Sequence, residues 1–375
     1  MRIFFTGGGT GGHLYPALAI ARALVKLDPR ARPFFVGAER GVEREILPGT
    51  EFEYVLLDLH PIYRTRPWNN WRTAAGLAGA WRTLSRTARA ERPVTVVGTG
   101  GYASGAALAW AVTHRVPVAL QEQNSHPGIT TRVFSRYASE IYLGYGEARR
   151  LLRVREGARV EETGNPIEPP PLPRPDRAAA RERWGFPAVG GTVLIVVGGS
   201  QGAHALNEVV AAWVRSAIPD NLYLIWGTGR RHYDRYTDLD SERVKVVPYL
   251  SPIADAYAAS DVALTRAGAL TLAELCAWGI APIVVPLPTA AADHQTSNAV
   301  ALASAGAALH VSQSQLSVDS LSAAVAKLIT TPGSLERMSR AALQRARPDA
   351  AINIARHVLA LSAAQRPESR QRDHT

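Results

Sequence analysis

One cysteine, Cys276, in 375 residues leaves no partner for an internal disulfide and favours a reducing compartment. No run of eighteen apolar residues occurs, so no segment is expected to span a bilayer. The chain begins Met1-Arg2-Ile3-Phe4-Phe5-Thr6 and meets glycines at once, too early for the apolar core of a signal peptide. A cytosolic protein is expected. Acidic residues are in deficit, 32 against 42 Lys and Arg, for a net charge of +10. That surplus suits an anionic partner such as a phosphorylated substrate, an acidic lipid or nucleic acid. The preference for arginine over lysine follows as well from codon composition. With 46% hydrophobic and 20% charged residues, the length suggests two globular domains.

Short β-branched or aromatic runs alternate with alanine-rich stretches. Strands are expected at 2–6, 33–36, 94–97, 117–121 and 140–143, then at 192–197, 222–226, 244–247, 261–264 and 281–285. Between them lie amphipathic patterns such as 16–27, with Ala17, Ile20, Ala21, Leu24 and Leu27 on one face. Parallel strands need crossover connections, so this alternation predicts an α/β fold of two Rossmann-like domains. The proline-rich stretch 168–176 cannot join a sheet and reads as the linker between them.

Three glycine-rich turns follow expected strands: Gly7–Gly12, Gly98–Gly105 and Gly198–Gly202. Glycine lets a backbone approach an anion while a helix N-terminus offers free N–H groups, although one such turn alone is equally a matter of turn geometry. Gly7, Gly9 and Gly12 also match the letters of a dinucleotide fingerprint. Its acidic partner would have to be Glu39, beyond the second strand, and the match is loose.

Other segments admit two readings each. Glu274 is either an acid favoured by a helix dipole or a clasp for a ribose diol. Asp293 is placed to cap a helix, whereas Gln295 and Asn298 could cap or grip sugar hydroxyls. Glu122 ends a strand where open parallel sheets bind ligands, and His13 starts a helix. Each is a candidate general base or a hydrogen-bond partner of its own loop. Residues 61–92 combine Trp68, Trp71 and Trp81 with Arg72, Arg82, Arg86 and Arg89. Leu77, Trp81, Leu84 and Ala88 form one helical stripe and the arginines another, which describes either a core-packed helix or an interfacial one. Nucleic acid ranks below a membrane surface, because no nucleic-acid module accompanies these residues.

In order and spacing, GGGTGGHLYPALAIA, VVGTGGYASGA, EQNSHPG, TGNP, VVGGSQGAHALNE, TRAGALTLAE and DHQTSNA resemble the MurG family, from residue 1 to about residue 310. These are the transferases that move N-acetylglucosamine (GlcNAc) from UDP-GlcNAc to the 4-hydroxyl of N-acetylmuramic acid in lipid I, giving lipid II for peptidoglycan. The resemblance implies a GT-B glycosyltransferase fold. Residues 1–165 with a returning helix near 346–364 would form the acceptor domain, 166–345 the donor domain, and 365–375 a frayed tail. It implies that Ser200 and Gln201 meet the diphosphate, Glu274 the ribose, and the backbone near Leu250 the uracil. Ala269, Leu270 and Thr271 would line the phosphates. Gln295, Asn124 and the loop Thr10-Gly11-Gly12 would hold the GlcNAc. Gly9, Gly100, Gly101, Tyr102 and Ser104 would face the acceptor pyrophosphate, with His13 as base or orienter and Glu122 as its rival.

The expected partners are UDP-GlcNAc, lipid I, an anionic membrane at its cytoplasmic face and other cell-wall synthesis proteins. No metal, cofactor or nucleic acid is expected. Three positions depart from the family pattern: Glu168 stands where an arginine is usual, Gln121 where histidine is frequent, and Ala267 where serine is usual. Loss of the arginine calls for a substitute cation, with Arg266 the candidate. A diacylglycerol glycosyltransferase, a UDP-sugar-binding protein without turnover and an NAD enzyme are the competing readings.

Overall fold

The computed structural model describes residues 1–59, 70–198, 203–216 and 218–365, with side chains in the helix Asn70–Glu91 from Ala78 onward. The chain divides into two compact units, Met1–Ile167 with Asp349–Thr375, and Glu168–Pro348. The expectations for Trp68 and for a frayed tail over 366–375 lie outside the described residues.

The first unit is built on a parallel sheet ordered β3-β2-β1-β4-β5-β6-β7. Its strands are β1 Arg2–Thr6, β2 Arg32–Ala38, β3 Glu53–Leu57, β4 Thr95–Gly98, β5 Val118–Glu122, β6 Glu140–Leu143 and β7 Arg159–Glu161. The second sheet is ordered β10-β9-β8-β11-β12-β13. It comprises β8 Thr192–Val197, β9 Leu222–Gly227, β10 Val244–Val247, β11 Val262–Thr265, β12 Ala281–Val284 and β13 Leu309–His310. All ten expected strands form. The three that sequence reasoning missed, β3, β7 and β13, lie at sheet edges, where partial exposure dilutes the apolar signal.

In each sheet the strand order reverses beside the first strand, between β1 and β4 and again between β8 and β11. Connections leave the strand ends there in opposite directions and open a crevice at the carboxyl edge. The glycine-rich turns 7–12 and 98–105 follow β1 and β4, at the first of these places.

The first sheet is covered on one face by the helices Gly11–Leu27 and Ala350–Ala363, whose Leu14, Ile20, Leu24, Ile354 and Val358 join one buried cluster. The returning helix therefore completes the first unit's core. Pro16 lies in the second turn of the helix Gly11–Leu27, because the helix starts inside the glycine loop.

Ile354 is fully buried. Ile354→Ala should cost about 2–5 kcal/mol. Urea unfolding should show the first unit's transition moving to lower denaturant while a tryptophan signal from Trp226 in the second core stays put.

Candidate active site

The turns after β1 and β4 interlock. The Gly8 N–H donates to the Gly100 carbonyl at 3.3 Å. A Cβ on Gly101, whose φ is +78°, would lie 2.0 Å from the Gly8 carbonyl oxygen, so only glycine fits. Gly9 donates its N–H to both oxygens of Glu43, at 3.1 and 3.0 Å, and that fully buried carboxylate also takes the Ala38 N–H at 3.2 Å. Gly9 was expected to face the acceptor pyrophosphate; its donor is already committed. Ser104, also fully buried, gives its hydroxyl proton to the Gly101 carbonyl at 2.8 Å and serves the turn. Gly100 is buried, whereas Gly101, Tyr102 and Gly11 are half-buried and Thr10 and Gly12 exposed.

His13 stands in the first turn of its helix beside this interlock. Its Nδ1 lies 3.0 Å from the Thr99 carbonyl and 3.0 Å from Gln123 Oε1, and the Thr99 hydroxyl donates to the His13 carbonyl at 2.7 Å. A carbonyl can only accept, so the neutral ring carries its proton on Nδ1 and a lone pair on Nε2. Nε2 has no hydrogen-bond partner among the described residues. Glu122 differs. Its Oε1 accepts from the Asn124 backbone N–H at 3.1 Å and the Asn124 amide at 3.2 Å, and its Oε2 from the Gly128 N–H at 3.0 Å. Both oxygens of this buried group are held by donors, which fits a loop staple and not a free base. Asn124 is thereby fixed, half-buried, at the same strand edge.

In the second unit, a cavity of about 460 Å³ opens at the switch point. Gly198 and His204 reach it from behind β8, Arg266, Gly268 and Thr271 from behind β11, Gln295 from behind β12 and Gln313 from behind β13. The helix Ala269–Trp278 begins there, with Gly268 as its cap, so its N-terminal dipole end lies at the cavity. Leu270 and Thr271 are half-buried and Ala269 buried in that turn. Arg266 donates to the carbonyls of Val285 and Pro286 at 3.1 and 3.2 Å and to Gln313 Oε1 at 2.7 Å. None of these partners is anionic. Its guanidinium is pulled below its ordinary pKa by burial, yet arginine remains cationic at any working pH. The cavity thus holds a positive charge without a carboxylate partner among the described residues.

Both units match glycosyltransferase family 28. Its N-terminal domain description matches residues 3–143 and its C-terminal domain description residues 193–354. The UDP-N-acetylglucosamine–N-acetylmuramyl-(pentapeptide) pyrophosphoryl-undecaprenol N-acetylglucosamine transferase of Chlorobium limicola is 38% identical over 368 residues, covering 96% of this chain and 100% of that protein. The transferase of the same name from Salinibacter ruber is 39% identical over 367 residues, 96% of either chain. The chain belongs to the MurG family. The crystal structure of Acinetobacter baumannii MurG superposes with a TM-score of 0.77 at 26% identity, over 96% of this chain and 99% of that one. CalG4, the calicheamicin glycosyltransferase, shares the GT-B fold alone, with a TM-score of 0.64 at 16% identity.

Other expected MurG-family positions fall variously. Gln295 lines the cavity and accepts the Leu287 N–H at 2.9 Å through Oε1, which turns its amide nitrogen outward from that bond. Asn298 is fully buried and donates to the Ala267 carbonyl at 3.2 Å, so it shapes the loop. Asp293 occupies the cap position, but its carboxylate takes the Thr296 hydroxyl at 2.6 Å and no backbone N–H. The Leu250 side chain is buried in the core against Gly227, leaving only its backbone for a ligand. Ser200 and Gln201 lie outside the described residues, as do the side chains of Trp71 and Arg72. In the helix Asn70–Glu91, Ala80, Leu84 and Ala88 are buried and Trp81 packs half-buried on the same cluster. Trp81 thus has a core contact and a partly exposed side, while Arg82 and Arg86 are exposed.

Sequence reasoning missed Glu43, whose task depends on the fold bringing it beneath a loop 34 residues away. It also overlooked one Asp-x-Asp triplet, Asp238-Leu239-Asp240. Asp238 pairs with Arg215 at 3.3 Å and Asp240 accepts the Val246 N–H at 2.8 Å, so both carboxylates are occupied in a turn.

Glu274 accepts the Tyr257 hydroxyl at 2.9 Å through Oε2, and its Oε1 has no partner among the described residues. Burial raises its pKa; the Tyr257 bond opposes this, and the negative charge of Glu168 adds to it. For an acid whose folded pKa exceeds its unfolded one, the native state holds a proton that the unfolded state has lost. Stability therefore falls as pH rises through the window above the ordinary carboxylate value. Glu274→Gln keeps an acceptor for Tyr257 and removes the charge. It should raise Tm at pH 7, with the difference vanishing toward pH 4, and calorimetric melts across that range check it.

Proposed function

We propose that this chain transfers GlcNAc from UDP-GlcNAc to the 4-hydroxyl of N-acetylmuramyl-pentapeptide pyrophosphoryl-undecaprenol with inversion. The observation that carries the reading is the Arg266-lined cavity at the second switch point, in a chain aligned end to end with transferases of that name. His13 Nε2 accepts the proton of the acceptor hydroxyl. The oxygen attacks the anomeric carbon as the bond to the diphosphate oxygen breaks, and UDP leaves with the electron pair. Arg266 and the dipole of the helix Ala269–Trp278 meet the charge that develops on the diphosphate, without a metal in this scheme. Arg266 thereby supplies the cation that position 168 lacks. Glu274 Oε1 accepts from the ribose hydroxyls, Gln295 from its free side binds the sugar, and Asn124 with the Thr10-Gly11-Gly12 loop supports the sugar from the first unit. Gly101 and Tyr102 remain for the acceptor side.

No helix among the described residues is long and apolar enough to cross a membrane. The exposed Arg82, Arg86 and Arg89 stripe supports peripheral attachment to an anionic surface at the cytoplasmic face. Arg82→Glu with Arg86→Glu should lower the partition coefficient onto vesicles containing acidic lipid about thirtyfold, at roughly 1 kcal/mol per arginine lost near the surface. Equal sedimentation of wild type and variant would remove this face from the reading.

Transfer of labelled GlcNAc to a short-chain lipid I analogue tests the reaction. Wild type should turn over. His13→Ala should lower kcat about 10²–10⁴-fold with UDP binding kept, as for loss of a general base. Arg266→Ala should weaken UDP binding itself. Wild-type transfer to diacylglycerol and none to the lipid I analogue would instead establish the glycolipid reading.

A further inference from the structure

Three side-chain amides beneath His13 form a buried chain whose polarity is set at every link. Gln123 is 2% exposed, Gln121 fully buried and Asn165 4% exposed. The Gln123 Nε2 faces the Thr99 carbonyl at 2.8 Å and the Gln121 side-chain and backbone oxygens, all of them acceptors. Only the amide nitrogen suits that side, which turns Gln123 Oε1 toward His13 Nδ1. Because Gln121 Oε1 accepts from Gln123, the Gln121 Nε2 is directed at Asn165 Oδ1, 3.2 Å away. The Asn165 Nδ2 then donates to the Gln123 carbonyl at 3.0 Å and closes the loop. No member can turn its amide over without placing two donors or two acceptors face to face in a buried site, where an unmet polar group is costly.

We propose that this neutral amide relay, Asn165 to Gln121 to Gln123, is the positioning device that holds His13 in the tautomer with Nε2 unprotonated. None of the three residues touches substrate in this scheme. Thr99 alone would accept from Nδ1 but would leave the ring free to pivot about one bond; the second acceptor fixes its plane. No relay member ionises between pH 5 and 9, so the relay adds no charge change of its own beside His13. An imidazole or carboxylate at any link would add a second charge change within hydrogen-bonding range of the first. The relay rests on the reading of His13 as base for its catalytic meaning, but the tautomer is a property of the resting protein.

Two variants test it in the full chain, labelled with ¹⁵N-histidine, with His13→Gln assigning the His13 signals. Long-range ¹H–¹⁵N spectra of wild type should show His13 protonated at Nδ1 alone. Gln121→Met removes the one side-chain acceptor among the three that orient Gln123 and the link to Asn165, while keeping volume. It should mix the two His13 tautomers and lower kcat about tenfold or more, the cost of a wrong tautomer, with KM for UDP-GlcNAc unchanged within about twofold. Gln123→Glu sets a carboxylate beside Nδ1 and should raise the His13 pKa by about one unit or more. The acidic limb of the kcat profile should move up with it. His13 signals and pH profiles that stay at wild-type positions in both variants overturn the relay, whatever happens to kcat. A wild type protonated at Nε2 overturns it outright. If the signals change as expected while His13→Gln retains full turnover, the relay stands and the base assignment falls.

Discussion

The missing Cβ of Gly101 governs the first unit. With the Gly8 carbonyl 2.0 Å from where that carbon would sit, the turns after β1 and β4 stack backbone on backbone. No helix start with side chains at those positions could bring His13 against Thr99 and Gln123. The contact also explains why so few loop N–H groups remain for a ligand. Loops drawn this close must satisfy their own donors, and two buried carboxylates do so: Glu43 beneath Gly9, and Glu122 beneath Asn124 and Gly128. Each carboxylate replaces what an anion would otherwise bind.

This arrangement separates two tasks between the units. The first spends its amides and acids internally and gains a stiff mount for one imidazole. The second leaves Arg266 without a carboxylate and a helix N-terminus facing a cavity, and so retains the charge that a departing diphosphate needs. Orientation and electrostatic stabilisation are distinct contributions to a barrier, and rigid loops serve the first as unpaired charge serves the second.

The periodic features were legible in the sequence. Buried parallel strands such as β8 and β9 are continuous apolar runs bounded by glycine, and the turns that follow them announce the switch points before any pairing is known. Chemistry carried by carboxylates was much less so. Glu122 looked like a base because it ends a strand; three N–H groups arriving from residues 124 and 128 make it a staple. Glu43 looked like nothing, since its partners lie on another strand's turn. Trp81 lies on the stripe with Leu84 and Ala88, and the packing that this periodicity predicts is seen on its half-buried side. Where a side chain's role depends on which donor faces it, spacing along the chain carries no record of the answer.

Glu168 shows how magnitude decides such a case. A carboxylate where family members place a cation suggests weak affinity for a diphosphate, and its charge does reach Glu274. Yet Glu168 is exposed, so its field is weakened by water with a dielectric near 80 and falls off within about 10 Å in salt. Arg266 is half-buried on the cavity wall, where the effective dielectric is nearer 20 and the same charge acts about four times as strongly at equal distance. The cavity potential is therefore set by the buried cation, and the exposed anion modifies it. On the proposed reading the carboxylate at position 168 is tolerated because Arg266, held by three neutral oxygens, supplies the cation.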